Sequence, residues 1–329
     1  MASLARLLNR GLRLAAGAAA LAFALAAPAL ATDARPLVSV EWLKDRLGQP
    51  GLVVLDVRSA IDGGGAEAYA RGHIPGAVHS DYDKAGWRVT RKGVPFLVPT
   101  TAELETLVGE LGIDEETRVV IVPAGVHATD FGSAARVYWT LKYVGLAQVS
   151  ILDGGFAAWT ADAANPVEAG VRHPSPTIFT ARIDGRLLID GGKVAAIARS
   201  GGATLMDARP AAFFAGKIKA PAAKAYGHIP GAFNLDSASF YDAKTNRLRP
   251  PAELAARATG LPSSGPLVSY CNTGHWAATN WFVLSEILGR RQVTLYDGSM
   301  AEWTADTTRP IESARTKWDD LKKALGFGT

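Results

Sequence analysis

Gly72-His73-Ile74-Pro75-Gly76-Ala77 returns letter for letter as Gly227-His228-Ile229-Pro230-Gly231-Ala232. Ahead of each copy runs an apolar segment ending in an acid-x-arginine triplet: Val53-Val54-Leu55-Asp56-Val57-Arg58, then Thr204-Leu205-Met206-Asp207-Ala208-Arg209. Behind each comes a proline followed by Ala-Glu-Leu, at Pro99 with Ala102-Glu103-Leu104 and at Pro250 with Ala252-Glu253-Leu254. Each unit closes on Asp-Gly with a tryptophan six residues after the aspartate, Asp153…Trp159 and Asp297…Trp303. Corresponding landmarks lie 151 (Asp56 to Asp207), 155 (Gly72 to Gly227), 150 (Glu103 to Glu253) and 144 (Asp153 to Asp297) residues apart. Four ordered matches at nearly constant offset mean that a whole domain is written twice, because solenoid repeats are far shorter.

Within each copy, short apolar runs alternate with helical patterns. Arg118–Val122, Pro266–Tyr270, Val149–Leu152 and Val293–Tyr296 read as buried strands. Ala277, Trp281, Leu284 and Leu288 are spaced 4, 3 and 4, which marks one face of a helix; Ala134, Val137, Leu141 and Val144 do the same in the first copy. Alternating strands and helices predict an α/β fold of two domains, each a mainly parallel sheet flanked by helices.

The N-terminus carries a different signal. Arg6, Arg10 and Arg13 precede a charge-free run from Leu14 to Ala27, and Pro28-Ala29-Leu30-Ala31 follows. A basic start, a 14-residue apolar run and an Ala-x-Ala site read as a secretory signal peptide over residues 1–31. The alternative is an uncleaved anchor, although the run is shorter than the ~20 apolar residues a span needs. The expected location is the periplasm, with no membrane association after cleavage. The formal charge of +4 falls to +1 for residues 32–329 once those three arginines leave. That residual charge, without an arginine-rich or lysine-rich run, excludes a nucleic-acid partner. The single cysteine excludes an intramolecular disulfide.

That cysteine, Cys271, falls directly after the strand ending at Tyr270 and before a helix opening near Trp276, with Asn272-Thr273-Gly274-His275 between. In a parallel α/β sheet, ligand crevices form at the C-terminal ends of strands. A short loop feeding a helix points backbone N–H groups inward, and the helix dipole adds positive potential. A thiol there is pushed toward thiolate from its ordinary pKa of about 8.5. Gly274 allows the loop to turn tightly.

These residues identify the resemblance. The Asp-x-Arg strand ends, both Gly-His-Ile-Pro-Gly-Ala copies, both Asp-Gly…Trp closures and Tyr270-Cys271-Asn272-Thr273-Gly274 resemble the tandem-domain rhodanese family of thiosulfate and 3-mercaptopyruvate sulfurtransferases. The resemblance covers nearly all of residues 36–310 and implies a non-catalytic domain at 36–165, a linker at 166–185 and a catalytic domain at 186–318. The first copy fits the non-catalytic half, since its loop from Pro123 to Gly132 holds no cysteine and is longer. The implied mechanism is double displacement. Cys271 takes sulfur from a small-molecule donor as a persulfide and passes it to a thiophilic acceptor, cyanide or a thiol, with a protein thiol as a further acceptor. The loop amides would stabilise the persulfide. No cofactor or metal is implied, and no glycine-rich phosphate loop or Cys/His cluster is present.

The loop also departs from the family. It holds no Arg or Lys, the usual Val-Thr is replaced by His275-Trp276, and an arginine expected four residues after Arg209 falls on Phe213. Donor-anion binding is therefore expected from His275, Arg209, Arg186, a lysine among Lys217, Lys219 and Lys224, or backbone amides. Thiosulfate is the expected donor and 3-mercaptopyruvate the alternative; a sulfur carrier or partner-binding protein without turnover is the rival from outside enzymology. Phosphatase chemistry on a related loop needs Cys-x5-Arg, and Ala277 occupies the arginine's position.

Other residues read as structural. His73 and His228 occupy a turn present in both copies, including the one without cysteine. Asp56 with Arg58, and Asp207 with Arg209, read as strand-end ion pairs, while Asp153 and Asp297 read as turn residues. His275 stays two-sided, a solvated loop residue or an acid or anion-binding group beside Cys271. Trp276 and Trp281 either line the pocket or pack in the core.

Overall fold

The apolar runs Leu52–Leu55, Val119–Val122 and Val149–Leu152 have no alternation, so as strands they need cover on both faces, the condition of a parallel sheet between helices. The computed structural model describes residues 35–315, and there these runs form the centre of such a sheet. In the first domain, β1 (Leu37–Val38), β2 (Leu52–Asp56) and β3 (Val78–His79) precede a hairpin of β4 (Val89–Arg91) and β5 (Val94–Leu97); β6 (Arg118–Val122) and β7 (Val149–Leu152) follow. The sheet order is β1-β7-β6-β2-β3, and every pairing in it is parallel. The second domain repeats this with β8 (Thr204–Asp207), β9 (Phe233–Asn234), a hairpin of β10 (Tyr241–Asp242) and β11 (Arg247–Leu248), β12 (Leu267–Tyr270) and β13 (Val293–Leu295). Its order, β13-β12-β8-β9, is again parallel throughout. The place of β1 shrinks to a single parallel bridge between Leu188 and Leu295.

The repeated motifs are one mechanical device. Arg58 donates from Nε (3.0 Å) and Nη2 (2.7 Å) to Asp56, and Nη2 also reaches the Gly72 carbonyl at 2.8 Å. Arg209 makes the same fork on Asp207 (2.8 and 2.6 Å) and the same contact to Gly227 at 2.8 Å. Each buried pair thus clamps a strand end to the Gly-His-Ile-Pro-Gly-Ala turn, with bidentate geometry offsetting part of the cost of desolvating two charges. The histidines then fasten the turn. His73 Nδ1 donates to the Tyr69 carbonyl at 3.0 Å while its ring stacks on Tyr69. His228 does so with Phe214 at 2.7 Å, again with ring stacking. His73 exchanges backbone hydrogen bonds with Glu168, and His228 with Glu312, so the turn stitches down the chain just beyond each closing tryptophan.

The segment 166–185 runs along the first domain as a strap. Thr177 N–H donates to Gly109, Arg182 to Val144 and Asp184 to Tyr143, all at 2.8–2.9 Å. The loop expected from Pro123 to Gly132 ends earlier, because helix Ala128–Tyr143 begins at Ala128. His127 caps it: its Nδ1 accepts from Asp130 N–H at 3.1 Å, and Asp130 accepts in return from Val126 N–H at 2.7 Å. Histidine is an uncommon cap, which hid this helix start in the sequence. The cysteine-free loop is therefore Pro123–His127, only one residue longer than Cys271–Gly274.

Helix Ala128–Tyr143 packs against helix His275–Trp281 and its π-helical continuation Phe282–Ile287, forming the seam between domains. Phe131 and Tyr138 meet Phe282 with ring centroids 5.7 and 4.9 Å apart. Each closing aspartate crosses this seam. Asp153 accepts from Arg247 Nη1 at 3.1 Å, and Asp297 accepts from Val98 N–H at 2.7 Å. They are inter-domain ties more than turn residues. No helix among the described residues is long and apolar enough to cross a membrane. The signal-peptide reading of residues 1–31 lies outside the described residues, as does the expected domain end at 318.

Candidate active site

Cys271 leaves the C-terminal end of β12 into a loop of four residues before helix His275–Trp281. The loop is tied from behind. Ser299 Oγ accepts from the N–H groups of Cys271 and Gly274, both at 3.0 Å, and donates to the Tyr296 carbonyl at 2.8 Å. Ser299 holds this position in the left-handed region at φ +49°, a conformation that costs a non-glycine residue ~1–2 kcal/mol. Gly274 is left-handed at φ +74°, and a Cβ there would meet Arg136 Nη1. Thr273 N–H points at Cys271 Sγ at 3.4 Å, so the loop presents a donor where negative charge on sulfur develops.

Cys271 is almost wholly buried, yet it opens on a cavity of about 160 Å³ built from both domains. Asn272, Thr273, His275 and Trp276 line it from the second domain; Ile61, Arg88 and Thr129 line it from the first. His275 is fixed by the first domain. Its Nε2 lies 2.8 Å from the Thr129 carbonyl and must donate, so Nδ1 accepts from the Tyr82 hydroxyl at 2.8 Å. Burial, reinforced by the Arg88 charge, pushes its pKa down to about 3. It is a neutral imidazole with both nitrogens spoken for, neither a solvated loop residue nor an anion-binding cation. Glycine at position 132 lets the first-domain helix come this close, since a Cβ there would lie 2.8 Å from His275 Nε2.

Two first-domain guanidiniums supply positive charge. Arg88 Nη2 donates to Asp83 at 2.7 Å, and its Nε has no hydrogen-bond partner among the described residues. Its planar group lies over Tyr82 at 4.1 Å and over Phe96 at 4.8 Å. Arg136 is fully buried behind the loop, with no hydrogen bond from Nε, Nη1 or Nη2 among the described residues and an Asp297 carboxylate oxygen at 3.6 Å. Burial pulls its pKa below the ordinary arginine range, and attraction to Asp297 opposes that.

The structure brings together Cys271, Asn272, Thr273, His275 and Trp276, with Gly274 shaping the loop. It does not bring the expected anion-binding arginines to the cavity. Arg209 is buried and spent on Asp207 and Gly227, with Nη1 3.4 Å from Asn272 Oδ1, so it braces the loop from outside the cavity. Arg186 is 89% exposed at its side chain and paired with Asp184 at 2.7 Å. Lys217, Lys219 and Lys224 do not line the cavity either. Phe213, standing where the family pattern has an arginine, packs edge-on against Trp276 at 5.9 Å. Sequence reading missed Arg88, Tyr82, Arg136 and Ser299. For the first three no local signal exists, because the cysteine loop they face belongs to the other domain. For Ser299 one did: Asp153-Gly154-Gly155 becomes Asp297-Gly298-Ser299 in the second copy.

The family profile described as Rhodanese-like domain matches residues 39–162 and 191–306. The chain is 36% identical over 285 residues to a protein of Pseudomonas aeruginosa named probable 3-mercaptopyruvate sulfurtransferase, covering 84% of this chain and 97% of that one. A thiosulfate sulfurtransferase of the same organism is 34% identical over 277 residues, covering 82% and 94%. The crystal structure of the 3-mercaptopyruvate sulfotransferase SseA from Escherichia coli superposes with a TM-score of 0.68 at 26% identity, covering 80% of this chain and 98% of that one.

Proposed function

This chain belongs to the rhodanese-like domain family, and on that premise we propose that it is a sulfurtransferase moving sulfane sulfur from thiosulfate to a thiophilic acceptor through a persulfide on Cys271. The observation that carries the reading is the placement of the sole cysteine at the head of the loop, its Sγ faced by Thr273 N–H and open to the shared cavity. In the first half-reaction the Cys271 thiolate attacks the outer sulfur of thiosulfate. A sulfur–sulfur bond forms, the bond to the sulfonate sulfur breaks, and its electron pair leaves with sulfite. In the second, cyanide or a thiolate attacks the terminal sulfur and the Cys271 thiolate is restored. Negative charge on the persulfide is met by the loop amide in a site largely shut off from water, where such donors count for most.

A second donor, 3-mercaptopyruvate, is favoured by the 36% identity to a protein of that name. There the carbon–sulfur bond would break and the departing enolate would take up a proton to give pyruvate. Steady-state assays separate the readings: thiocyanate formed from thiosulfate and cyanide supports the first, and pyruvate released from mercaptopyruvate supports the second. Stoichiometric loading without turnover would instead point to a sulfur carrier handing on to a protein thiol. The reading extends to an exported, periplasmic protein, supported by the basic start, apolar run and Pro28-Ala29-Leu30-Ala31 of residues 1–31.

A further inference from the structure

Both donors are anions, yet the loop Cys271–Trp276 contains no Arg or Lys. His275 is neutral and committed to Tyr82 and Thr129, Arg209 is committed to Asp207, and Arg136 lies behind the loop without lining the cavity. Among the described residues one cationic side chain lines the Cys271 cavity, and the domain without a cysteine supplies it: Arg88. Its side chain is 8% exposed, held at Nη2 by Asp83 and on its faces by Tyr82 and Phe96. These contacts fix the plane of the guanidinium, and its buried Nε has no acceptor among the described residues. A planar fork held in this way suits the oxygens of a carboxylate or sulfonate better than a mobile ammonium would.

We propose that Arg88 determines the specificity of the Cys271 site, binding the carboxylate or sulfonate end of a small anionic sulfur donor so that the sulfur to be transferred faces Sγ. Asp83 tempers it: the carboxylate neutralises part of the charge and limits how strongly the cavity holds an anion. The identity of the bound anion as a sulfur donor rests on the sulfurtransferase reading; the anion preference does not.

The test compares alkylation of Cys271 by iodoacetate and by iodoacetamide. Both consume the same thiolate, so the ratio of their rates reports only the cavity's preference for negative charge. Arg88→Gln is expected to lower that ratio about tenfold or more, the scale of one charge-assisted hydrogen bond. Asp83→Asn, which leaves Arg88 in place, is expected to raise the ratio, so a poorly folding Arg88 variant does not stall the test. In turnover, Arg88→Gln should raise KM for the donor far more than it lowers kcat. An unchanged ratio in both variants, with donors still forming a persulfide, overturns the role of Arg88 and leaves the sulfurtransferase reading standing. A ratio that shifts as expected, when no donor loads Cys271 in any variant, upholds the anion site and overturns that reading instead.

Discussion

The two loops that follow the central strands, Pro123–His127 and Cys271–Gly274, occupy the same place in two copies of one fold. Their backbones are tied alike. The carbonyls of Pro123 and Ala124 accept from Phe156 and Ala157, and those of Cys271 and Asn272 accept from Met300 and Ala301. Pro123 therefore stands where Cys271 stands, and Gly155 where Ser299 stands. Proline has no N–H, so the first domain needs no acceptor behind the loop. Gly155 takes the left-handed turn at φ +59°, and a Cβ there would meet the Pro123 carbonyl. Cysteine does have an N–H, and Ser299 accepts it despite its backbone strain. The loop with the cysteine thus differs from the cysteine-free one by a linked pair of changes. The cysteine-free domain also contributes to the surroundings of Cys271, since it supplies Arg88, Tyr82 and Arg136.

The largest effect on this comparison should come from Gly274→Ala. A Cβ at a left-handed position facing Arg136 is expected to cost about 1–3 kcal/mol from the backbone alone, with steric repacking added. Denaturant midpoints measure it, and an unchanged midpoint with normal persulfide loading would show that the loop is not held as described. Ser299→Gly makes the second domain resemble the first. It relieves about 1 kcal/mol of strain but orphans two buried N–H groups, at about 1–3 kcal/mol each. Net destabilisation of about 1–5 kcal/mol and slower loading of Cys271 are expected; a variant more stable than the parent and equally fast would break the comparison.

The smallest effect concerns His275, neutral when folded with a pKa of about 3 against an ordinary 6.5. Between those values the unfolded chain binds more protons than the folded one, so stability rises with pH through this window and is lost as pH falls below about 6.5. Urea midpoints at pH 7.5 and 5 should therefore differ less in His275→Gln than in the parent. An equal pH dependence would remove His275 as the source.

Much of the fold was legible because its determinants are local. The unalternating strands and the duplicated motifs carry their meaning within a few residues, and the clamp of Arg58 on Asp56 spans two. Cys271 and the loop to Trp276 were legible for the same reason. The charge of the site was not. Arg88 lies 183 residues before Cys271 in a half without a reactive thiol, and only packing across the seam brings them together. Arg209 and Arg186 were nearer in sequence to the cysteine, but one is consumed by its strand-end clamp and the other faces solvent. His275 looked ambiguous because its partners, Tyr82 and Thr129, belong to the other domain.

The most direct test of the central claim is the intact mass of the purified protein after incubation with thiosulfate and, separately, with 3-mercaptopyruvate, repeated on Cys271→Ser. The account predicts a cyanide-labile gain of one sulfur atom from at least one donor, and no gain in the serine variant. Sulfur retained by Cys271→Ser, or no gain from either donor in the parent protein, would contradict it.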